Sequence, residues 1–224
     1  MRKVLLIFLL FSAVAVKAQI PDIYLSKPVE GGPVQITYFT EADLNGDDYY
    51  YEADQNERKG YLNQAVTLYG KAAFEFNNAR KLSQYGQTLL KLANVHMLLN
   101  NFTQAEQVVL NVALKTYSKT GNISGEMNSY QQLAKIYLAA DKLTQALWFS
   151  TQQGILAQRM SNNNAYIQSL LGLAMVKIKK QEYSQAKLDL NRAELLAKNN
   201  KINAFAVEID DARKAIAVSQ NAKK

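Results

Sequence analysis

The feature that most constrains this chain is a four-residue formula that returns about every forty residues. A large apolar residue, a small polar residue, Gln and Ala occur in that order at residues 62–65, 102–105, 143–146 and 183–186. The interval between successive alanines of the formula is constant, except that the middle one, from Ala105 to Ala146, is longer by one position. A period of about 20 to 50 residues is typical of arrays of stacked supersecondary units. We therefore interpret the chain unit by unit.

A second alanine stands twelve positions before each alanine of the formula. These alanines are Ala53, Ala93, Ala134 and Ala174. Two helices approach to about 8–10 Å where the side chains at their crossing are small, and large residues fill the ridges on either side. One alanine on each side of a short turn therefore predicts a pair of antiparallel helices in every unit.

The first helices are predicted near 47–59, 85–99, 125–140 and 164–180, and their partners near 62–82, 103–118, 143–160 and 183–199. Turns are predicted at Lys59-Gly60, Asn100-Asn101, Asp141-Lys142 and Gln181-Glu182. Polar residues near the start of the second helices are expected to accept hydrogen bonds from free backbone N–H groups: Asn63, Thr103, Thr144 and Ser184.

One more amphipathic helix, near 203–220, has no partner, and we expect it to cover the last apolar face of the array. Its inner side is predicted to carry Phe205, Ile209, Ala212 and Ile216. Its outer side is predicted to carry Glu208, Asp211 and Lys214.

The third unit is similar to the consensus of the tetratricopeptide repeat, in which an aromatic residue, Leu, a small residue, Tyr and a second small residue follow in order. The matching residues are Tyr130, Leu133, Ala134, Tyr137 and Ala146. Other residues stand at the Tyr137 position in the remaining units: Asn56, His96 and Lys177. The period of about 40 exceeds the usual value of about 34, so the chain resembles the long-helix variety of this family.

The resemblance covers residues 45–221 and has consequences for the fold. It implies an all-α, right-handed superhelical solenoid of four antiparallel helix pairs plus a C-terminal capping helix. The first helix of each pair would line a concave wall, which would hold an extended or helical segment of a protein or peptide partner.

The side chains that face this wall are expected at positions −6, −3, +1 and +4 from the first alanine of each unit. The twelve residues expected to contact a partner are Tyr50, Asp54, Gln87, Leu90, Asn94, Met97, Asn128, Gln131, Lys135, Gln168, Leu171 and Met175. The same pattern includes Asp47, Glu57, Leu138 and Ile178, with packing in the core as the alternative for the last two. Leu90 and Met175 are expected to face solvent in the free protein.

Residues 1–18 have the composition of a secretory signal peptide. Arg2 and Lys3 precede an apolar run over residues 4–16, and Val16-Lys17-Ala18 places small residues where a signal peptidase reads. The run is too short to span about 30 Å of hydrocarbon as a helix. We therefore expect a periplasmic or secreted protein that is not inserted in a membrane once the signal is removed.

The mature chain is expected to begin at Gln19. Residues 19–44 contain the three prolines of the chain and a pair of adjacent glycines, which interrupt regular structure. This segment is predicted to form an extended lead with one short strand at 34–39. The chain has no cysteine, so neither a disulfide framework nor a lipid anchor on an N-terminal cysteine is expected.

The composition also argues against several classes of function. The net charge is +7, but the lysines of the C-terminal part are interleaved with acidic residues, so no nucleic-acid partner is expected. No nucleophile, zinc-protease or phosphate-loop motif occurs, so we expect a non-enzymatic protein without cofactor or metal. His96 is the single histidine and is expected to be packed or half-buried.

Residues 41–52, EADLNGDDYYYE, resemble a calcium-binding loop. The residues at loop positions 3, 5, 6 and 12 are Asp43, Asn45, Gly46 and Glu52. Position 1 is Glu instead of Asp, and position 8 is Asp48 where an apolar residue is usual. We favour an Asn-Gly turn whose acidic residues cap the first helix.

The function expected from these observations is an exported scaffold or adaptor that binds a partner segment in the concave groove. Two alternatives stay open at this point. One is a sensory module that acts with a separate membrane signalling kinase, and the other is a structural or calcium-dependent envelope protein.

Overall fold

The structure is a computed structural model and describes residues 45–221. This part of the chain has an all-α, helical-repeat-like fold of nine helices without a strand. The helices are α1 Gly46–Arg58, α2 Leu62–Asn78, α3 Leu82–Leu98, α4 over 102–120, α5 Ile123–Ala139, α6 Leu143–Arg159, α7 Asn163–Lys179, α8 Tyr183–Asn199 and α9 Ala206–Asn221. The predicted signal peptide, the lead at 19–44 and the strand at 34–39 lie outside the described residues. None of the nine helices is long and apolar enough to cross a membrane.

Eight turns of one geometry connect the nine helices. Each turn contains one residue with a left-handed φ between 51° and 81°; these residues are Gly60, Arg80, Asn100, Gly121, Asp141, Ser161, Gln181 and Lys201. The backbone N–H of the following residue donates to the carbonyl five positions earlier, at 2.8–2.9 Å in all eight turns. This bond is the closure of a Schellman motif. The structural unit is therefore one helix with its turn, and two such units make the sequence repeat.

The turn at Arg80 corrects the prediction of a helix over 62–82, because α2 ends at Asn78 and α3 begins at Leu82. Arg80 has a φ of 55°, a conformation that Gly, Asn and Asp adopt more readily than other residues. No typical turn residue marks this boundary, so sequence patterns place the helix end too late.

The predicted capping of the second helices is also wrong. The N-cap residues of α2, α4, α6 and α8 are Tyr61, Asn101, Lys142 and Glu182, and none of them makes a capping bond with its side chain. The Schellman turn places each N-cap two positions before the polar residue that was expected to cap the helix. Side-chain capping occurs instead at α5 and α7, where Asn122 and Asn162 accept from Gly125 N and Ala165 N.

The alanines at the predicted helix crossings lie in the core. Seven of them are 0% exposed and Ala134 is 7% exposed: Ala53, Ala65, Ala93, Ala105, Ala134, Ala146, Ala174 and Ala186. Each helix packs on the helices before and after it in the chain. In addition, α3 packs on α5, α5 on α7, and α7 on α9. The helices α3, α5, α7 and α9 are thereby brought side by side, and Lys91 of α3 pairs with Asp54 of α1. We call the row of the five odd-numbered helices the odd-helix wall.

The helix α4 contains the one irregularity of the described array. It consists of α-helical Phe102–Gln107, π-helical Val108–Ala113 and α-helical Leu114–Thr120. A π-helical turn accommodates one residue more than an α-helical turn. This extra residue explains why one interval of the sequence repeat is longer than the others.

The final helix α9 covers the last apolar face, as predicted. Phe205, directly before α9, and the α9 residues Ile209, Ala212 and Ile216 belong to one buried core cluster with residues of α7 and α8. The opposite side of α9 is polar: Asp210 and Lys214 stand forty positions after Leu170 and Ala174 of α7. They form an exposed ion pair of 2.7 Å. The side of α9 on which a further helix would pack is therefore charged.

Candidate functional site

A cavity of about 300 Å³ lies between α5, α6, α7 and α9, and we call it the wall cavity. Five of the twelve residues predicted to contact a partner line it: Gln131, Lys135, Gln168, Leu171 and Met175. Leu138, which completes the predicted pattern, lines it too. The stacking of α5 on α7 places these positions next to each other because the two helices are related by one repeat. The wall cavity is therefore the place where the predicted groove residues converge.

The apolar part of the wall cavity comes from Leu138, Leu171 and Met175. Leu171 is 2% exposed and packs in the core cluster of α7, α8 and α9, so its side chain is part of the floor. Met175 is 38% exposed and lies at the rim. This agrees with the expectation that Met175 faces solvent. Leucine and methionine side chains offer apolar contact, and methionine adapts readily to different partners.

A buried amide faces the wall cavity from α6. Gln153 is 2% exposed, and its carboxamide makes no hydrogen bond to the residues that the structure describes. The fully buried side-chain atoms that lack a partner within the described residues are His96 Nδ1 and Gln132 Nε2. The polar atoms of Gln153 are not among them, so its carboxamide reaches the wall cavity and can bond to a molecule there. Gln131 and Gln168, which line the same cavity, likewise make no hydrogen bond within residues 45–221. Three carboxamides are therefore available to a bound molecule.

Two exposed charges of opposite sign complete the lining. Lys135 on α5 and Glu208 on α9 line the wall cavity, and neither has an ion-pair partner within the described part of the chain. Glu208 is exposed, as predicted for the outer side of α9, and it lies on the side of α9 that continues the odd-helix wall.

At the opposite end of the wall, side chains of α1 and α3 form an ion-pair network. Lys91 Nζ lies 2.8 Å from Asp54 Oδ1 and 3.3 Å from Glu57 Oε2. Glu57 also accepts hydrogen bonds from Asn94 Nδ2 at 2.8 Å and from the Tyr69 hydroxyl at 2.7 Å. Asp54 and Asn94, both predicted to contact a partner, are thus bonded within the chain.

The network shifts the protonation equilibria of its members. The hydrogen bond from Lys91 lowers the pKa of Asp54 below its usual value. Burial raises the pKa of Tyr69, and the hydrogen bond to Glu57 raises it further. Tyr50, another predicted contact residue, packs edge-on against the Tyr69 ring at a centroid distance of 5.5 Å. The polar side chains at this end of the wall bond to one another, so they are not free to bind a partner.

Lys91 is the network residue that sequence reasoning missed. It stands two positions before Ala93, outside the four positions expected to face the wall. Its partners belong to the preceding unit, 34 and 37 residues earlier in the chain. The available signal was the pair of acidic residues in the first unit, Asp54 and Glu57. Two carboxylates close together favour a basic residue on the next odd-numbered helix.

The remaining predicted residues divide between surface and core. Gln87 and Asn128 are exposed, whereas Leu90 and Met97 are half-buried. The expectation that Leu90 faces solvent is wrong, because its side chain packs against two core clusters that include residues of α4. Ile178 is half-buried against the core cluster of α7, α8 and α9, which agrees with the packing alternative.

His96 is half-buried on α3, as expected. Burial lowers its pKa below the usual value for histidine. Its Nδ1 atom is buried and has no hydrogen-bond partner within the described residues. Protonation of this nitrogen is therefore disfavoured in the folded protein.

The polar and acidic residues from Asn45 to Asp48 form the N-terminal cap of α1. Asn45 Oδ1 accepts hydrogen bonds from Asp47 N at 2.8 Å and Asp48 N at 3.2 Å. The Asp48 carboxylate accepts in return from Asn45 N at 3.1 Å, which completes a capping box. Gly46 already belongs to α1, so residues 45–52 form a helix start and not the second half of a calcium loop. Residues 41–44 lie outside the described residues.

The comparisons with known proteins show similarity of fold only. No family model matches the chain, and no curated protein matches it. The fold is similar to solved structures that include the crystal structure of BtubC (BKLC) from P. vanneervenii, with a TM-score of 0.62 and 17% sequence identity. The similarity covers 75% of this chain and 68% of that chain. The chain therefore has a helical-repeat-like all-α fold.

Proposed function

We propose that this protein is an exported, non-enzymatic adaptor that binds a segment of a partner protein along the odd-helix wall. In this proposal the four helix pairs form a right-handed superhelix of the tetratricopeptide type, and α9 caps it. The contacts of α3 with α5 and of α5 with α7 support an arrangement in which the odd-numbered helices lie on the inner side.

The observation that carries the proposal is the wall cavity. Five predicted contact residues from two repeats line it, together with the buried and unbonded amide of Gln153. Amide side chains bond to the main chain of a peptide, while leucine and methionine side chains accept its apolar side chains. A cavity with apolar walls and a few convergent polar groups is the usual form of a binding site.

The proposed periplasmic or secreted location rests on the N-terminal residues. A basic start, a short apolar run and small residues before Gln19 are typical of a cleaved signal peptide. Mass spectrometry of the protein recovered from its native cells tests this part, with a mature N-terminus at Gln19 as the expected result. An intact N-terminus in the recovered protein would contradict export by this route.

The binding role is tested by comparing partner capture by the full chain and two variants. Met175→Glu places a charge at the rim of the wall cavity, whereas Gln107→Glu places the same charge on the exposed surface of α4. Exposed substitutions change stability by about 0.5 kcal/mol or less, so both variants should keep the melting temperature. Each protein is used to capture partners from the native envelope fraction, which are identified by mass spectrometry.

We expect the wild type and Gln107→Glu to capture the same partner and Met175→Glu to lose it. The variant replaces an apolar contact with a carboxylate, which must lose its water when the partner covers this rim. If all three proteins capture the same set, the partner binds elsewhere and the proposal is wrong. Leu90→Glu is unsuited to this test because Leu90 packs in the core.

A further inference from the structure

The odd-helix wall continues beyond the fourth unit onto α9. Glu208, Asp211 and Ala215 stand forty positions after Gln168, Leu171 and Met175, so they occupy the positions that face the wall in the repeat pattern. All three line a second pocket of about 420 Å³, which shares Met175 and Glu208 with the wall cavity. The two pockets therefore form one groove along α5, α7 and α9, which we call the terminal groove.

Charge changes sign along the terminal groove. The α5 side carries Lys135, the α7 side is neutral with Gln168 and Met175, and the α9 side carries Glu208 and Asp211. Glu208 has no ion-pair partner among the described residues. Lys214 lies 3.5 Å from Asp211 but pairs more closely with Asp210, at 2.7 Å. The α9 side thus presents negative charge to a bound molecule.

The buried amide of Gln153 restricts the conformation of such a molecule. A carboxamide has donors and an acceptor, and a peptide group in an extended chain offers the complementary acceptor and donor. In a helical ligand these main-chain groups bond within the helix. An extended segment is therefore better suited than a helix to satisfy Gln153.

We propose, on the basis of the function proposed above, that the terminal groove binds an extended peptide in which a large apolar residue has a lysine or arginine neighbour. The apolar side chain occupies the wall cavity against Leu171 and Met175. The basic side chain reaches Glu208 and Asp211. Main-chain groups of the peptide bond to Gln153 and to the carboxamides at the rim.

The probe for this proposal is a phage-displayed library of short random peptides, selected on the full chain. We expect the selected sequences to be enriched in Lys or Arg within two positions of a large aliphatic or aromatic residue. A synthetic copy of one selected peptide is then measured by fluorescence polarisation. Its affinity should fall as salt is raised, because exposed charges are screened.

Two charge reversals form a matched pair for the same peptide. Glu208→Lys changes a residue of the terminal groove, whereas Glu52→Lys makes the same change in net charge at an exposed residue of α1 that lines neither pocket of the groove. We expect the dissociation constant to rise about tenfold for Glu208→Lys and to stay within about twofold for Glu52→Lys. Gln153→Leu, which replaces the carboxamide with an apolar side chain of similar size, should also weaken binding about tenfold.

The outcomes separate this inference from the proposed function. Peptides that bind the wild type, lose binding to Met175→Glu and show no basic enrichment would overturn the inference and leave groove binding in place. Equal effects of Glu208→Lys and Glu52→Lys would also overturn it, since the charge would act at a distance. If no peptide is selected, or if the selected peptides bind Met175→Glu as well as the wild type, both proposals are wrong.

Discussion

Tyr117 of α4 packs between two glycines of neighbouring odd-numbered helices, Gly86 of α3 and Gly125 of α5. A Cβ atom at either glycine would overlap the tyrosine ring. The ring is almost fully buried, and burial raises the pKa of Tyr117 to about 12. These glycines are therefore required by space and not by backbone conformation.

We predict that Gly125→Ala lowers the free energy of unfolding by about 1–3 kcal/mol, because the added methyl group overpacks the site against Tyr117. Gly70→Ala is the matched control, since Gly70 lies inside α2 with no atom near its missing side chain. That change should raise stability by about 0.5–1 kcal/mol through the better helix propensity of alanine. Urea unfolding measures both values, and equal effects of the two variants would contradict the packing argument.

At the residue scale, sequence reasoning succeeded where one repeat predicts the next. The eight crossing alanines were found in this way, and all of them are buried. It failed for contacts that join side chains of different units, such as Lys91 with Asp54. Such contacts depend on the three-dimensional stacking of units, which a period alone does not contain. Leu90 was misplaced for the same reason, because it packs in clusters that α4 completes.

At the scale of the helix, the π-helical turn of α4 changes which side of the helix the residues after it face. Tyr69 and Phe76 in α2, and likewise Leu190 and Ala197 in α8, are buried residues seven apart. The equivalent buried position after Val109 would be 116, but Tyr117 is the residue in the core. The additional residue and the π-helical turn together return Tyr117 to the core face.

We predict that deletion of Asn111 is tolerated. Asn111 is exposed within the π-helical stretch, and its removal places Val109 and Tyr117 seven apart as in the other even-numbered helices. The helix should become α-helical throughout, with a melting temperature equal to or above that of the wild type. Thermal unfolding followed by circular dichroism provides the measurement.

Deletion of Thr151 is the control for this experiment. Thr151 is exposed in α6, which is α-helical over its whole length. Its loss would turn Gly154 and Ala157 by about 100° away from the core, because each residue advances an α-helix by that angle. A strong decrease in melting temperature is therefore expected for this variant only. If the Asn111 deletion is equally harmful, the π-helical turn has a role beyond register.

Most of the elements were predictable because their signals are local and recur. The helix boundary that sequence patterns predicted least well is the turn at Arg80, which has the same left-handed geometry as Gly60 but no glycine. An even spacing of turns would have located it, since Arg80 lies midway between the turns at Gly60 and Asn100. The π-helical turn corresponds to the one longer interval of the sequence repeat, from Ala105 to Ala146.

At the scale of the whole molecule, α9 has two roles that the sequence pattern suggested only in part. Its inner face was predicted to close the core, and Phe205, Ile209 and Ile216 are buried there. Its contribution to the wall was missed, because a helix without a partner was interpreted as an end and not as the first half of a fifth unit. The offset of one repeat that relates Gln168 to Glu208 was already present in the sequence.

The capping role leads to the last prediction, a truncation that removes the chain from Asn203 onward. Units of a helical array are stabilised by their neighbours, so loss of α9 exposes the buried faces of Leu171 and Leu190 to solvent. Each large apolar residue of α9 contributes about 1.5–3 kcal/mol by burial. We expect the truncated protein to aggregate or to melt at a markedly lower temperature. Val218→Asp, on the exposed side of α9, should change stability by no more than about 0.5 kcal/mol. A soluble truncated protein with unchanged melting temperature would show that α9 does not cap the array.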